Sequence, residues 1–260
     1  MVAKRFWETL AVAHRILTEL WRRKRSLTFW SVFPILILIL NSLILEERAQ
    51  LSRADAFQQA APSTLVGAAL FFSCLGGSVA TVVAEREQQT LKRLFLSPLS
   101  GLSYFLGIFM AHCGIGLGQT LLVWAIAVIA GANFTGALLP LASVIILLSI
   151  ATYVGVGFLL GTQFARRTED INALIAAFGV PLLILGGAFF PSSLFPDSLL
   201  TLAAYNPIYH MIEALAGVTA SGEDFAVIAP HFWFLVIFAG VMVLSGWLAY
   251  HHMLQVERQL

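Results

Sequence analysis

The chain has 260 residues, of which 59% are hydrophobic and only 11% charged, and its net charge is +1. A soluble domain carries about a quarter charged residues, so a water-soluble globule is excluded. The net charge says nothing about partners, but the placement of the charges does.

The apolar residues fall in long runs rather than in alternating or amphipathic patterns. Runs of about eighteen or more such residues read as membrane spans. Before the first run, residues 3–25 form an amphipathic pattern. Trp7, Leu10, Ala11, His14, Leu17 and Trp21 recur at helical spacing on one face, and Arg15, Glu19, Arg22 and Arg23 lie mostly off it. With Trp at its boundary and the basic run Arg22-Arg23-Lys24-Arg25 at its end, this helix is expected to lie in the membrane interface. The first apolar run is too long for a signal peptide core, and the small-residue pattern Ala54-Asp55-Ala56 lies far beyond it, so an uncleaved span is expected.

Span one runs from Leu27 to Leu45 with Pro34 inside, a reach of about 28 Å at helical rise. The polar segment Glu46–Gln59 follows. Span two is Pro62–Ala84, span three Leu102–Ala130, span four Leu138–Gly161 and span five Ile171–Phe190. Between spans two and three lies a charged stretch closed by Pro98, and between four and five the short loop Ala165–Asp170. Residues 191–216 are apolar but broken by Pro191, Pro196 and Pro207, which fits a re-entrant or interfacial helical hairpin. The last span is Val227–Tyr250. The fold is therefore expected to be all-α and polytopic: six transmembrane helices, an N-terminal interfacial helix, and a broken hairpin before the last span. The domain reading is a cytoplasmic interfacial helix over 1–26 and a single six-helix membrane domain over 27–260.

Every Lys and Arg except Arg48 and Arg53 falls in the N-terminal segment, the 85–97 loop, the 165–170 loop or the tail. Six spans with those segments inside satisfy the positive-inside rule throughout, with both termini cytoplasmic.

The 85–98 loop is the most informative segment. Leu91, Leu94 and Phe95 recur at helical spacing beside Lys92 and Arg93, so a short cytoplasmic helix is expected. One reading is a solvated loop whose charges only fix topology. The other is a docking helix with an apolar ridge and charged flanks for a cytoplasmic partner. The residues alone do not choose between them.

The segment resembles the cytoplasmic loop of type-2 ATP-binding-cassette exporter permeases. Glu85, Arg86, Glu87, Thr90, Leu91, Leu94 and Pro98 match that pattern, while Gln89 stands at a usual Gly and Lys92 at a usual acid. Gly186-Gly187-Ala188-Phe189-Phe190-Pro191, Leu194-Phe195-Pro196 and Asn206-Pro207-Ile208-Tyr209 resemble the end of the fifth span and the broken extracellular helices of the same family, and Arg167-Thr168-Glu169-Asp170 fits it too. The resemblance spans essentially the whole chain. It implies a permease that pairs with a second permease subunit, a homodimer in preference to a heterodimer. Two cytoplasmic ATPase subunits would dock on Glu85, Arg86, Glu87, Thr90, Leu91, Arg93, Leu94 and Pro98. The chain has no GxxxxGK[ST] phosphate loop, so ATP and Mg are expected on the partner, with no cofactor on this chain and no enzymatic activity of its own. It also implies the bacterial inner membrane and export of a lipophilic or amphipathic substrate. Lipid-linked polysaccharide is the alternative cargo.

Polar residues inside spans are candidate pathway residues because lipid exposure is costly for them. Asn41, Ser73 and Asn172 are the foremost, with His112, Gln119 and Tyr153 beside them. For His112 the alternative is a helix–helix hydrogen bond. Phe189, Phe190, Phe195, Tyr205 and Tyr209 lie near the expected outer surface, either as an aromatic belt or as an outer gate. Gly114/Gly118 and Gly157/Gly161 are GxxxG pairs suited to close helix packing. Cys74 and Cys113 read as packing residues, and the histidines give no metal site. No nucleic acid partner is expected. An ion-coupled carrier would need a carboxylate deep in a span, and none is present; a non-transporting scaffold is disfavoured by the docking loop and the broken outer helices.

The orientation is open to direct test. In a chain lacking Cys74 and Cys113, cysteines placed at Gln50 and at Gln88 are expected to react with an impermeant maleimide from opposite sides of the membrane. Labelling of both from one side would overturn the topology.

Overall fold

The computed structural model describes residues 2–22, 24–88, 90, 99–134 and 138–257. Every regular element among them is helical. We label them α1 (Val2–Arg22), α2 (Lys24–Arg48), α3 (Arg53–Glu87), α4 (Gly101–Ile129), α5 (Leu139–Gln163), α6 (Thr168–Leu185), α7 (Asp197–Ala203), α8 (Pro207–Ala216) and α9 (Phe225–Glu257). Among the described residues six of these, α2 to α6 and α9, are long and apolar enough to cross a membrane. The chain is an all-α polytopic membrane protein.

The core is built on α3. Within its most apolar stretch 78% of residues are buried, against 17% in each of α2, α6 and α9, so α3 is the axis and the others its jacket. Small residues let the neighbours approach. A Cβ at Gly157 of α5 would overlap the Ser78 hydroxyl of α3, and one at Gly161 would lie 3.0 Å from Val82. The Phe71 ring of α3 fills the notch at Gly179 of α6. Residues Leu65–Gly76 of α3 are wound as a π-helix, as are Ile175–Gly179 of α6, and these two widened segments face each other. Such winding is rare and concentrates at functional sites. On the far side, α9 meets α5 backbone to backbone, with Gly246 2.7 Å (as a built Cβ) from the Gly155 carbonyl.

Helix α1 is amphipathic, but with two apolar faces. Thr9, Val12, Ala13 and Ile16 are buried against α4, where Gly107 admits Val12 and the Thr9 carbonyl. The face singled out by spacing, with Trp7 66% and Trp21 76% exposed, points away from the protein. An apolar, tryptophan-bearing face of this kind is suited to a membrane interface.

Several boundaries move. Span two begins at Arg53 rather than Pro62, because Ser52 caps the helix by accepting from the Asp55 amide at 3.2 Å. The helix α6 starts at Thr168, which shortens the preceding loop, and it ends at Leu185 rather than Phe190. Gly186 and Gly187 turn the chain there, Gly187 at φ +85°, a value that favours glycine. Pro34 does not interrupt α2. The 191–216 segment is broken as expected, into a 3₁₀ turn at Ser192–Leu194, α7 and α8. Of the two GxxxG pairs, only Gly157/Gly161 marks close packing; a Cβ at Gly118 meets nothing within 4 Å in this chain.

Among the described residues Arg15, Arg86, Arg166 and Arg167 gather at one end of the bundle. There α1 meets the last turn of α3, and Leu254 of α9 covers Gly101. At the other end Gln58 of α3 clasps two loops, donating to the Thr219 carbonyl at 3.0 Å and accepting from the Asn133 amide at 3.2 Å.

The α1–α4 contact predicts that Gly107→Leu overpacks the seam, at a cost of about 1–3 kcal/mol. The purified protein should melt several degrees lower, with α1 more open to proteolysis. An unchanged melting temperature and cleavage pattern would mean that the seam does not hold α1.

Candidate coupling site and transport pathway

The last turn of α3 carries Glu85, Arg86 and Glu87, and each side chain reaches a different neighbour. Glu85 is buried, 6% exposed. Its Oε1 accepts from Arg15 of α1, and the same guanidinium nitrogen contacts the Tyr104 hydroxyl of α4 at 2.9 Å. The Tyr104 ring stacks on Tyr250 of α9. Burial works against the Arg15 charge, but Tyr104 and Glu85 more than offset it and raise its pKa. Removing one partner of a buried ion pair costs about 3–5 kcal/mol. The Arg15 side chain is 42% exposed, and screening lowers the figure to about 1–3 kcal/mol.

Arg86 donates to the Ala165 carbonyl at 3.3 Å and the Gly161 carbonyl at 3.5 Å, a cation at the C-terminal end of α5. Glu87 sits at the other polarity. Its Oε1 accepts from the Thr168 amide at 3.1 Å and its Oε2 from the Thr168 hydroxyl at 2.7 Å, so an anion caps the start of α6. Asp170 supports the same turn by accepting from the Arg166 and Arg167 amides, each at 2.9 Å.

Thr90 is half-buried. Leu91, Arg93, Leu94 and Pro98, with Lys92 and Phe95, lie outside the described residues, and so does the short helix expected of them. The root of the segment was legible as three charges in a row. Their partners Arg15, Tyr104 and Thr168 were not, although an Arg off the apolar face of an interfacial helix was a visible hint.

The candidate pathway residues are not brought together. Ser73 is buried inside α3 with its hydroxyl donated to the Ala69 carbonyl at 2.7 Å, Asn41 is half-buried on α2, and Asn172 is exposed on α6. His112 joins α4 to α3 through a 3.1 Å contact between Nε2 and the Thr81 hydroxyl, the helix–helix role. Tyr153 donates to the Val66 carbonyl at 3.1 Å, within the π-wound stretch. Gln119 is buried.

At the opposite end Phe189 and Phe195 are half-buried and Phe190 is 56% exposed. The Tyr209 ring turns to His210 and His231. Asn206 hooks the hairpin to α6, donating to the Leu182 carbonyl at 2.7 Å while its Oδ1 caps α8 at the Ile208 amide. Spacing did not single out His210, which stacks on Phe234 with centroids 3.8 Å apart. A carbonyl only accepts, so His210 Nε2–H donates to Ala204 O at 2.9 Å. Neutral His210 then takes the His231 Nδ1–H on its own Nδ1, at 2.9 Å.

A family model described as ABC-2 type transporter matches residues 8–219. The match runs from α1 past α8 and includes the charged root, the segment after it, and the broken helices of 191–216. No curated protein matches the chain.

The histidine contact fixes a pH response. Burial first lowers the His210 pKa, and His231 adds to this against the pull of the Ala204 carbonyl and Glu213. A folded pKa held below the usual value of about 6.5 contributes stability that is complete above that value and lost as pH falls toward the folded one. Glu223 and Tyr209 are the other titratable groups nearby. Amide hydrogen exchange over 204–216, corrected for intrinsic rate, is expected to rise between pH 7.5 and pH 5, and less so in His210→Phe. Protection that does not change with pH would refute this.

Proposed function

The chain belongs to the ABC-2 type transporter family, and from that premise we propose that it is the membrane subunit of an exporter that carries a lipophilic or amphipathic substrate outward. As a transmembrane permease of an ABC transporter it belongs to a class that works with ATPase subunits. Our reading puts ATP and Mg on two such subunits, docked on the segment that follows Glu87. It takes a second copy of this chain as the partner permease, in the bacterial inner membrane with both termini in the cytoplasm.

The observation that carries the reading is the rooting of that segment. Glu85 reaches α1 and, through Arg15, Tyr104 of α4; Arg86 reaches the end of α5, and Glu87 reaches the start of α6. A solvated connector needs no such ties. A segment that must pass a displacement from an ATPase to the spans needs all of them. The pathway is assigned to the interface between two copies, lined by α2, α3 and α6. In support, α2 and α6 pack on α3 and keep wide apolar faces open, with Phe29 75% and Phe178 68% exposed. Such faces suit a lipophilic cargo better than a polysaccharide chain. Phe189, Phe190, Phe195 and Tyr209 are assigned to the outer gate above it, and Asn41, Ser73 and Asn172 to the region of the pathway.

The first measurement is a mild-detergent pull-down of the tagged chain, with ATPase activity assayed on what co-purifies. A cytoplasmic ATPase is expected with the native chain and is expected to be lost with Leu91→Asp plus Leu94→Asp, while membrane insertion is kept. Undiminished co-purification with the double variant would refute the docking assignment.

A further inference from the structure

Between α1, α2 and α3, at the end of the bundle where Arg15 meets Glu85, lies a cavity of about 70 Å³. It is lined by Glu19, Ser26, Trp30, Thr81, Glu85 and Gln88, among others. One water needs about 10–15 Å³, so the space exceeds a single solvent molecule. Glu85 is the unusual member. One carboxylate oxygen is engaged by Arg15, while the other, Oε2, is buried and has no hydrogen-bond partner among the described residues. A buried carboxylate oxygen without a donor is costly, and Glu85 lines this cavity, so a ligand that brought a donor there would relieve that cost.

The wall beside it is aromatic. Trp30 lines this cavity and also a groove of about 400 Å³ formed by Arg25, Ser26, Phe29, Phe33, Ala68 and Phe72. Ser26 and Trp30 line both spaces, so the polar cavity and the apolar groove between α2 and α3 share a wall at these two residues. Phe33 and Phe72 meet edge to face with centroids 5.2 Å apart, giving the groove a firm aromatic floor. A carboxylate at one end, an indole at the junction and hydrocarbon beyond make a sequence of surfaces complementary to an amphiphile with a cationic head.

We propose that this cavity binds a primary ammonium group carried by an amphiphile whose hydrocarbon lies along the Phe29–Phe33–Phe72 groove. An R–NH₃⁺ group has three N–H donors and one positive charge. Glu85, whose charge is shared with Arg15, supplies an acceptor, Glu19 adds a second carboxylate to the same wall, Ser26 and Gln88 supply neutral acceptors, and Trp30 supplies a π face. A quaternary ammonium has no N–H to give and suits the cavity less well. The same head group occurs in an ethanolamine phospholipid of the bilayer and in a free amphiphilic amine, and Arg25 at the groove suits the phosphate of the former. The assignment of this ligand as cargo rests on the exporter reading; the site itself does not.

Binding is read without any ATPase, so its failure is distinguishable from failure of the exporter reading. The full chain in a non-ionic detergent is titrated with dodecylamine, with dodecyltrimethylammonium and with dodecanol, and complexes are counted by native mass spectrometry. Dodecylamine is expected to bind saturably and at least tenfold more tightly than the other two. Glu85→Gln is expected to weaken dodecylamine at least tenfold and leave dodecanol unchanged. If that variant does not fold, Trp30→Leu serves instead, with about a fivefold loss expected. Phosphatidylethanolamine retained in preference to phosphatidylcholine identifies the lipid as the source; dodecylamine binding without such retention identifies a free amine. Equal binding of dodecanol and dodecylamine, undiminished amine binding in the variants, or no saturable binding (a cavity of water only) would each overturn the proposal.

Discussion

A carboxylate withdrawn from water must be paired, or the desolvation cost disrupts the fold around it. Glu85 is such a group, and it lies where four helices come within reach of one another. Arg15 arrives from α1, Tyr104 from α4, and Tyr250 of α9 closes over Tyr104. The consequence is positional. Helix α1 is held not only by apolar contact with α4 but by a directional tie to the last turn of α3. The depth and rotation of α1 are thereby fixed relative to the axis of the bundle. Its Trp7–Trp21 face stays outward because the opposite arc is committed.

The axis itself is built from small residues and a widened helix. Gly67 in α3 makes room for Ala188, Gly77 for the His112 and Trp30 rings and Gly179 in α6 for Phe71, while Gly157 and Gly161 of α5 lie against Ser78 and Val82. In membranes helices associate through such packing and not through a hydrophobic drive. The π-wound stretch of α3 changes the phase of its side chains. It turns Phe71 into α6 at Gly179 and brings the Val66 carbonyl to Tyr153. The matching π turn in α6 sits across from it, so the least regular parts of two spans are in contact.

Span number and the break of the 191–216 segment were legible in the sequence, since each rests on hydropathy and on the punctuation of Pro and Gly. The starts and ends were less so. Ser52 begins α3 in a stretch that reads as a polar loop, because a cap acts through one hydrogen bond that hydropathy does not register. The second apolar arc of α1 was hidden because Thr9, Val12, Ala13 and Ile16 are individually weak signals beside two tryptophans. The Glu85, Arg86 and Glu87 run was visible as a motif, but its meaning depends on residues about seventy to eighty positions away, and no local pattern carries that. Ser73 was read as a pathway residue from its polarity. A serine in a span can equally satisfy itself on the preceding turn, as it does here on Ala69.

The three ties at the end of α3 also constrain how a displacement travels. A push on the segment after Glu87 acts on α1 through Arg15, on α5 through its terminal carbonyls, and on α6 through the Thr168 amide. These contacts differ in kind. The Arg15 pair is buried on the Glu85 side, whereas Glu87 and Thr168 meet in solvent, where a hydrogen bond exchanges readily with water. The buried tie is therefore the stiffer, and the exposed one the easier to release. With α1 fixed to α3 and α6 held by a solvent-exposed cap, relative movement is most easily accommodated between α3 and α6. That is where the two π-wound segments face each other, and where the Phe71 ring packs against the bare backbone of Gly179.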